Sequence, residues 1–423
     1  MSTTSFSLRG QALKLDSAAD LEKHIQPLID SQDVEEIHLE GNTIGVEASE
    51  ALAKILTTKT TLKHANLADI FTGRLLAEIP KALDALLTAL LKCPQLRTVT
   101  LNDNAFGLNT VEPLRPFLSQ HTPLQHLYLN NNGLGPSAGS LVAEALVQLA
   151  EKKAQARAAG QTDVPDLETV VCGRNRLETG SMAAWVKAYQ ANSHVKTVKM
   201  VQNGIRQEGV ALLLQQGLSA CKELRVLDLQ DNTFTALAAR SLADAVPLWT
   251  EIRELGVSDC LVSARGGRML AEALGKGENG RLEVLRLGYD DLDAKALAAL
   301  VEVAAKEGKL SRLRRVELNG NKFNEDDANI ERLQSLLNKR KDEDADSYPD
   351  VDEDDEDAWG IDELDELEEE SDEEDDGGDE VDEDEEGAKL VKDDEEAENE
   401  PVAQRKDGDV DALADALGKT EIK

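Results

Sequence analysis

The alternation of apolar and polar positions is clearest at Leu124–Gly135, LQHLYLNNNGLG, where Leu124, Leu127, Leu129 and Asn132 spell L-x-x-L-x-L-x-x-N. So short an alternation predicts one strand with a single buried face. The asparagine ends it, because its amide both donates and accepts and so can satisfy backbone groups in a sharp turn, which leucine or alanine cannot. The pattern recurs. Val34/Ile37/Leu39/Asn42 comes first, then Leu62/Ala65/Leu67 with Ile70 in the asparagine's place, then Leu96/Val99/Leu101/Asn104. After Leu124/Leu127/Leu129/Asn132 follow Leu167/Val170/Cys172/Asn175, Val195/Val198/Met200/Asn203 and Leu224/Leu227/Leu229/Asn232. Ile252/Leu255/Val257/Cys260, Leu282/Leu285/Leu287/Asp290 and Leu313/Val316/Leu318/Asn321 complete the series.

Successive ladder positions lie 28, 34, 28, 43, 28, 29, 28, 30 and 31 residues apart. A leucine-rich repeat near this length has room for a strand and a full helix, where one of roughly 20–24 residues has only a short return. In Ser137–Glu151 the residues Leu141, Val142, Ala145, Leu146 and Leu149 share one helical face, and Pro136 with Ser137 suits its first turn. The expected fold is α/β: a leucine-rich-repeat horseshoe solenoid with long, ribonuclease-inhibitor-like repeats, parallel strands inside and helices outside. Residues 1–33 read as an N-terminal cap, 34–341 as ten full repeats and 342–423 as an acidic, mostly disordered tail. Two spacings break the period. The longer holds Lys152–Asp166, polar and Ala-rich, which reads as an extended helix and loop. The other holds Asp69–Pro80, DIFTGRLLAEIP, where a strand runs into Phe71, Thr72, Gly73 and Arg74 with no asparagine at the turn.

Charge divides the chain. Of the 423 residues, those after Lys341 hold roughly half of the 83 acids but only 6 of the 46 bases, so nearly all of the net charge of −37 lies in the tail. A near-neutral body with an acidic tail is a poor candidate for nucleic-acid binding, which needs phosphate neutralisation. No apolar run reaches the ~18 residues of a membrane span, and Met1–Gly10 lacks the apolar stretch of a secretory signal. Cys93, Cys172, Cys221 and Cys260 form no C-x-x-C pair and read as reduced core residues. His38, His64 and His126 fall on exposed strand positions without carboxylate or cysteine partners at metal spacing and read as ordinary concave-face residues, so no metal site is expected. Gly418-Lys419-Thr420 lacks the earlier glycine and the strand of a phosphate loop, and Asp407/Asp409/Asp411 lacks the glycine and terminal glutamate of a calcium loop. No self-contained catalytic site is visible.

DIFTGR at Asp69–Arg74, LLKCP at Leu90–Pro94, DNAFG at Asp103–Gly107 and HTPLQHLYLNNNGLGP at His121–Pro136 carry a resemblance. So do CGRNRL at Cys172–Leu177, KMVQNGIR at Lys199–Arg206, LDLQDNTFT at Leu227–Thr235 and LNGNKF at Leu318–Phe323. Here the chain resembles the GTPase-activating proteins for Ran, the small nuclear-transport GTPase, in their short form of repeats plus acidic tail. The resemblance implies an activator, not an enzyme with its own site, which speeds GTP hydrolysis by fixing Ran's own catalytic glutamine and switch region. GTP and Mg²⁺ belong to the partner, so no cofactor is expected, and Ran-GTP, with an accessory Ran-binding protein, would be the partners of a monomeric chain. It implies that Arg74, in the Thr72–Gly73–Arg74 turn, is required without acting as an inserted finger, and that Asn131 lies at the interface. Arg174, Arg176 and Arg206 share the strand-to-helix rim and either extend that surface or pair with neighbouring acids. The implied location is cytoplasmic, with nuclear-envelope association or shuttling. The alternative is an acidic leucine-rich binding protein of the histone-chaperone or phosphatase-regulator kind, without GTPase activation.

Overall fold

The computed structural model describes residues 4–352 and 355–368. The acidic runs beyond Glu368, with the rejected phosphate- and calcium-loop look-alikes, lie outside them. The strands are β1 (Ser5–Ser7), β2 (Lys14–Leu15), β3 (Glu36–His38), β4 (Thr43–Ile44), β5 (His64–Asn66), β6 (Thr98–Thr100) and β7 (His126–Tyr128). Then come β8 (Thr169–Val171), β9 (Thr197–Lys199), β10 (Val226–Asp228), β11 (Glu254–Gly256), β12 (Val284–Arg286), β13 (Arg315–Glu317) and β14 (Gly360–Ile361). Twelve of them form one sheet in the order β1-β3-β5-β6-β7-β8-β9-β10-β11-β12-β13-β14, while β2 and β4 pair separately. Neighbours are parallel and in register, Ile37 beside Ala65, Ala65 beside Val99 and Val99 beside Leu127. The first and last strands of the sheet do not meet, so it is an open solenoid and no barrel.

Helices alternate with the strands: α1 (Ala18–Asp30), α2 (Val46–Leu56), α3 (Ile79–Leu90), α4 (Val111–Gln120), α5 (Gly135–Ala158) and α6 (Met182–Ala191). They continue with α7 (Gln207–Leu212), α8 (Thr235–Ala245), α9 (Ser263–Gly275), α10 (Ala294–Ala305) and α11 (Ala328–Asp344). The apolar ladder residues and the helical faces form one continuous core from Phe6 to Leu337. All four cysteines are buried free thiols within it.

The turn after each strand is built from two columns. Asn132, fully buried, donates through Nδ2 to Leu101 O (3.0 Å) and Leu129 O (2.9 Å), while its Oδ1 accepts from Asn104 N (2.9 Å). Asn175 accepts in turn from Asn132 N at 2.9 Å, so the amides run from repeat to repeat. Just before each ladder position stands a residue with left-handed φ: Gly41, Asp69, Asp103, Asn131, Arg174, Gln202, Asp231, Asp259, Tyr289 and Gly320. Most are Gly, Asn or Asp, the types that tolerate this region best.

The 43-residue spacing is filled as expected by an extended helix and loop. α5 runs on to Ala158, and Lys153, 2% exposed, donates to Leu124 O (2.5 Å) and Pro165 O (2.6 Å), folding the loop back on its own repeat. His121, at the end of α4, is 2% exposed, stacks on Phe117 at 4.8 Å and lies 2.8 Å through Nε2 from Leu96 O. Burial pushes its pKa down to about 4, so it is neutral at pH 7 and donates to that carbonyl. An unfolded imidazole titrates near 6.5, so the unfolded state binds more protons between those values. Stability should therefore fall as pH drops from about 6.5 to 4, by up to roughly 3 kcal/mol. His121→Gln should flatten that limb of a urea-denaturation series against pH, and an unchanged slope would assign it elsewhere.

The C-terminal end differs from expectation. Residue 342 falls inside α11, and the acid-rich chain beyond it folds over the last repeat. Trp359 (5% exposed) and Tyr348 (6%) pack edge to face at 5.3 Å, with Arg312 stacked 4.4 Å over Tyr348. β14 pairs with β13, and Asp362 accepts from Leu318 N (2.7 Å) and Asn319 N (3.1 Å), as a further repeat's backbone would. Leu364 and Leu367 pack against the core. Hydrogen bonds and ring stacking add to the apolar contacts: Arg312 donates to Ser347 O, Arg314 to Ala358 O, and Arg315 to Trp359 O (3.0 Å) and Ile361 O (3.1 Å), and capping units of solenoids carry a polar outer face. Truncation after Lys341 should thus lower the melting temperature by several degrees, whereas truncation after Glu368 should not. Equal melting of the two would remove the cap's role.

Candidate functional site

The irregular turn after β5 stands out. Phe71 is buried and lies 6.5 Å from Phe106, anchoring the turn to the next repeat. Thr72 Oγ1 donates to Asp69 Oδ1 at 2.5 Å, bracing the left-handed Asp69. Gly73 has φ +78° with open space where a Cβ would stand, so its φ, not crowding, calls for glycine there. Arg74 then turns inward. Its side chain is 8% exposed: Nε donates to Thr43 Oγ1 (2.9 Å), Nη1 to Asp16 Oδ1 (2.5 Å), and Nη2 to Thr43 O (2.9 Å) and Leu15 O (3.4 Å). The Arg74 guanidinium, helped by Lys14, holds the Asp16 carboxyl below its usual pKa. The guanidinium therefore clamps the turn to β2 of the N-terminal cap and to its partner β4 in the first repeat.

That clamp leaves Leu75 and Leu76 69% and 65% exposed, and Leu108 in the following repeat is 54% exposed. Nothing in the repeat pattern marks the leucine pair as exposed. Pro80 was the available signal, since proline favours the first helical turn, and α3 begins only at Ile79.

Asn131 is exposed on the same rim, with φ +54° and its Nδ2 donating to Asp103 Oδ1 at 2.8 Å. Since β5, β6 and β7 are consecutive, one repeat separates the turn from Asn131, about 10 Å at the usual strand spacing. One partner can span both, yet the guanidinium of Arg74 faces the cap, away from Asn131. Arg174 and Arg176 are exposed at φ +54° and +53°, and Arg206 is half-buried at the start of α7. The left-handed column is acidic on either side of Arg174, with Asp69 and Asp103 before it and Asp231 and Asp259 after. Burial, and then the hydrogen bond and charge of Asp259, push the Asp231 carboxyl pKa up.

Arginine in a left-handed position costs roughly 1 kcal/mol against glycine or asparagine, and such strain concentrates at functional surfaces. Arg174→Asn should stabilise the fold slightly in urea. Lower stability would place Arg174 in the structure instead. Among the described residues, Glu36, His38 and His64 form one group of metal-ligand type; the spacing argument missed it because its members sit on two repeats.

No model of a known protein family matches the chain. It is 40% identical over 336 residues to Ran GTPase-activating protein 1 of Saccharomyces cerevisiae, covering 78% of this chain and 81% of the relative. It is 34% identical over 324 residues to Ran GTPase-activating protein of Drosophila melanogaster, covering 76% of this chain and 52% of the relative. With Ran GTPase-activating protein 1 of Xenopus laevis it shares 39% identity over 202 residues, 47% of this chain and 34% of that one. Among solved structures, an internalin of Listeria monocytogenes aligns at 14% identity and a TM-score of 0.37, over 75% of this chain and 81% of that one. The alignment with the yeast relative covers most of both chains, and the chain belongs to the Ran GTPase-activating protein family.

Proposed function

We propose that this protein accelerates GTP hydrolysis on Ran through the strand-to-helix rim of its N-terminal half, and that Arg74 serves as an organiser of that surface. The observation that carries the reading is the engagement of every guanidinium nitrogen of Arg74 by Asp16, Leu15 and Thr43. An arginine finger must reach the partner's phosphates, and GAP action of that kind is worth up to ~10⁵-fold, or roughly 7 kcal/mol of barrier. Here the guanidinium is engaged by the cap and the first repeat. What it presents is the turn itself: Thr72, Gly73 and the exposed Leu75 and Leu76, beside Asn131. These groups hold Ran's switch region so that Ran's own glutamine aligns the attacking water, and positioning of this sort can supply several kcal/mol. Arg174, Arg176 and Arg206 continue the contact along the rim.

An activator of this kind keeps Ran in its GDP form on the cytoplasmic side, where an accessory Ran-binding protein would assist release of transport complexes. The experiment is single-turnover hydrolysis of GTP on purified Ran with catalytic amounts of the full chain. An acceleration of several orders of magnitude supports the reading. Hydrolysis at Ran's intrinsic rate, together with binding of basic proteins such as histones, would replace it with the acidic binding-protein alternative.

A further inference from the structure

The concave face of the first two repeats holds a group of side chains that the GTPase-directed rim does not use. Glu36 and His38 alternate onto one face of β3, Glu40 follows them two residues on, and His64 on β5 is the register partner of Glu36. The strand geometry thus brings two imidazoles and a carboxylate together from two repeats. One ligand-type atom from each of Glu36, His38 and His64 lies within 4.8 Å of the others, and His38 Nε2 is 3.3 Å from Glu36 Oε2. All three are half-buried.

We propose that Glu36, His38 and His64 form a binding site for a divalent transition-metal ion of the zinc type. Zinc takes nitrogen at 2.0–2.1 Å and carboxylate oxygen at about 2.0–2.2 Å in a tetrahedron, which sets ligand atoms roughly 3.4 Å apart. Small rotations about the side-chain bonds close the cluster to that spacing. Two histidines, one carboxylate and a fourth position open to solvent match the three-ligand zinc sites. A single carboxylate ligand is too few oxygens for calcium, which takes six to eight, while imidazole suits zinc, copper and nickel.

A second observation points the same way. Glu40 Oε1 stands 3.8 Å from His38 Nδ1, on the opposite side of the ring from the Glu36 contact, and Arg9 pairs with it at 3.3 Å. Its other oxygen, Oε2, is buried and has no hydrogen-bond partner among the described residues. A carboxylate behind a histidine is the usual outer partner of a metal ligand; Glu40 is on the correct side of the ring, and the tightening that metal binding brings would have to close its 3.8 Å to hydrogen-bond length. The His38 and His64 rings meet edge to face at 5.4 Å and 79°, which lets their nitrogens converge in front of β3. A simple His38–Glu36 ion pair would need neither the second histidine nor the carboxylate behind the first. Bound metal would staple β3 to β5 just before the chain enters the Asp69–Arg74 turn.

The test is a titration of the metal-stripped full chain with Co²⁺, followed by its visible d–d absorption, with Zn²⁺ as competitor. Wild type and His126→Ala, a concave-face histidine outside the cluster, should each show imidazole-type bands saturating at one equivalent and bleached by Zn²⁺. His64→Ala should lose at least about tenfold in affinity, as should Glu36→Gln, the variant least prone to disturb the sheet. Carboxylates of the tail give the same weak background in every variant. Absence of the bands in the wild type, or bands unchanged in both His64→Ala and Glu36→Gln with circular dichroism intact, would overturn the site.

Discussion

An Asn104→Leu, Asn132→Leu double substitution is expected to cost more than the sum of its two single changes. Asn132→Leu alone strands the buried Asn104 N, whose acceptor is Asn132 Oδ1 at 2.9 Å. An orphaned buried donor plus the lost amide bonds amounts to roughly 2–4 kcal/mol. Yet Leu101 O keeps a donor in that variant, because Asn104 Nδ2 also reaches it at 3.0 Å. Likewise Leu129 O keeps Asn175 Nδ2 at 2.8 Å. The double variant removes both donors from Leu101 O, and neighbours that share a partner couple rather than add.

The same redundancy explains how Ile70 stands in the ladder. Asn104 Nδ2 covers Leu67 O at 2.9 Å and Asn42 Nδ2 covers Leu39 O at 2.8 Å, so the missing amide leaves no strand-end carbonyl bare. A double-mutant cycle in urea measures the coupling, and strict additivity would show that the amides act independently.

Arg74→Ala is expected to lower the Ran-directed rate, read as kcat/KM, by at least about 10³-fold, which is roughly 4 kcal/mol of transition-state stabilisation. The effect on folding should be far smaller, because Asp16 is half exposed and can return to water. What is lost is the anchor of the turn. Without it Thr72, Gly73, Leu75 and Leu76 are no longer held in one arrangement, and a misplacement of about 1 Å can cost 10²-fold. Single-turnover kinetics with Ran-GTP measure the rate and thermal unfolding measures the fold. A rate within threefold of wild type would dismiss the FTGR turn as the site.

Most of the fold was legible in the sequence, because a repeat states its periodicity many times over. The period-two apolar ladder located every long-sheet strand from β3 to β13. It could not reach β14, where an acid-rich segment carries only Trp359, Ile361 and two leucines as apolar anchors and is held by arginines of the preceding repeat. Charge composition reads as disorder when the groups that hold the backbone, here Arg314 and Arg315, are distant in sequence. At the candidate turn the sequence showed the break in the repeat and not the direction of its arginine. FTGR marked the rim, but the partner of Arg74 is Asp16, 58 residues earlier in the cap. Asn131 illustrates the converse: a left-handed turn position suits asparagine on structural grounds alone, so its residue type says little about contact with a partner. Glu36, His38 and His64 show why spacing rules fail for solenoids, where stacking brings together residues a whole repeat apart.

The most direct measurement is the single-turnover rate of GTP hydrolysis on Ran with Asp16→Ala, set beside Arg74→Ala and wild type. If Arg74 organises the turn by its hold on the cap, removing Asp16 should cost a large part of the activity although the arginine remains. Full activity in Asp16→Ala with none in Arg74→Ala would show that the guanidinium acts on the partner directly, and would contradict the organising role proposed for it.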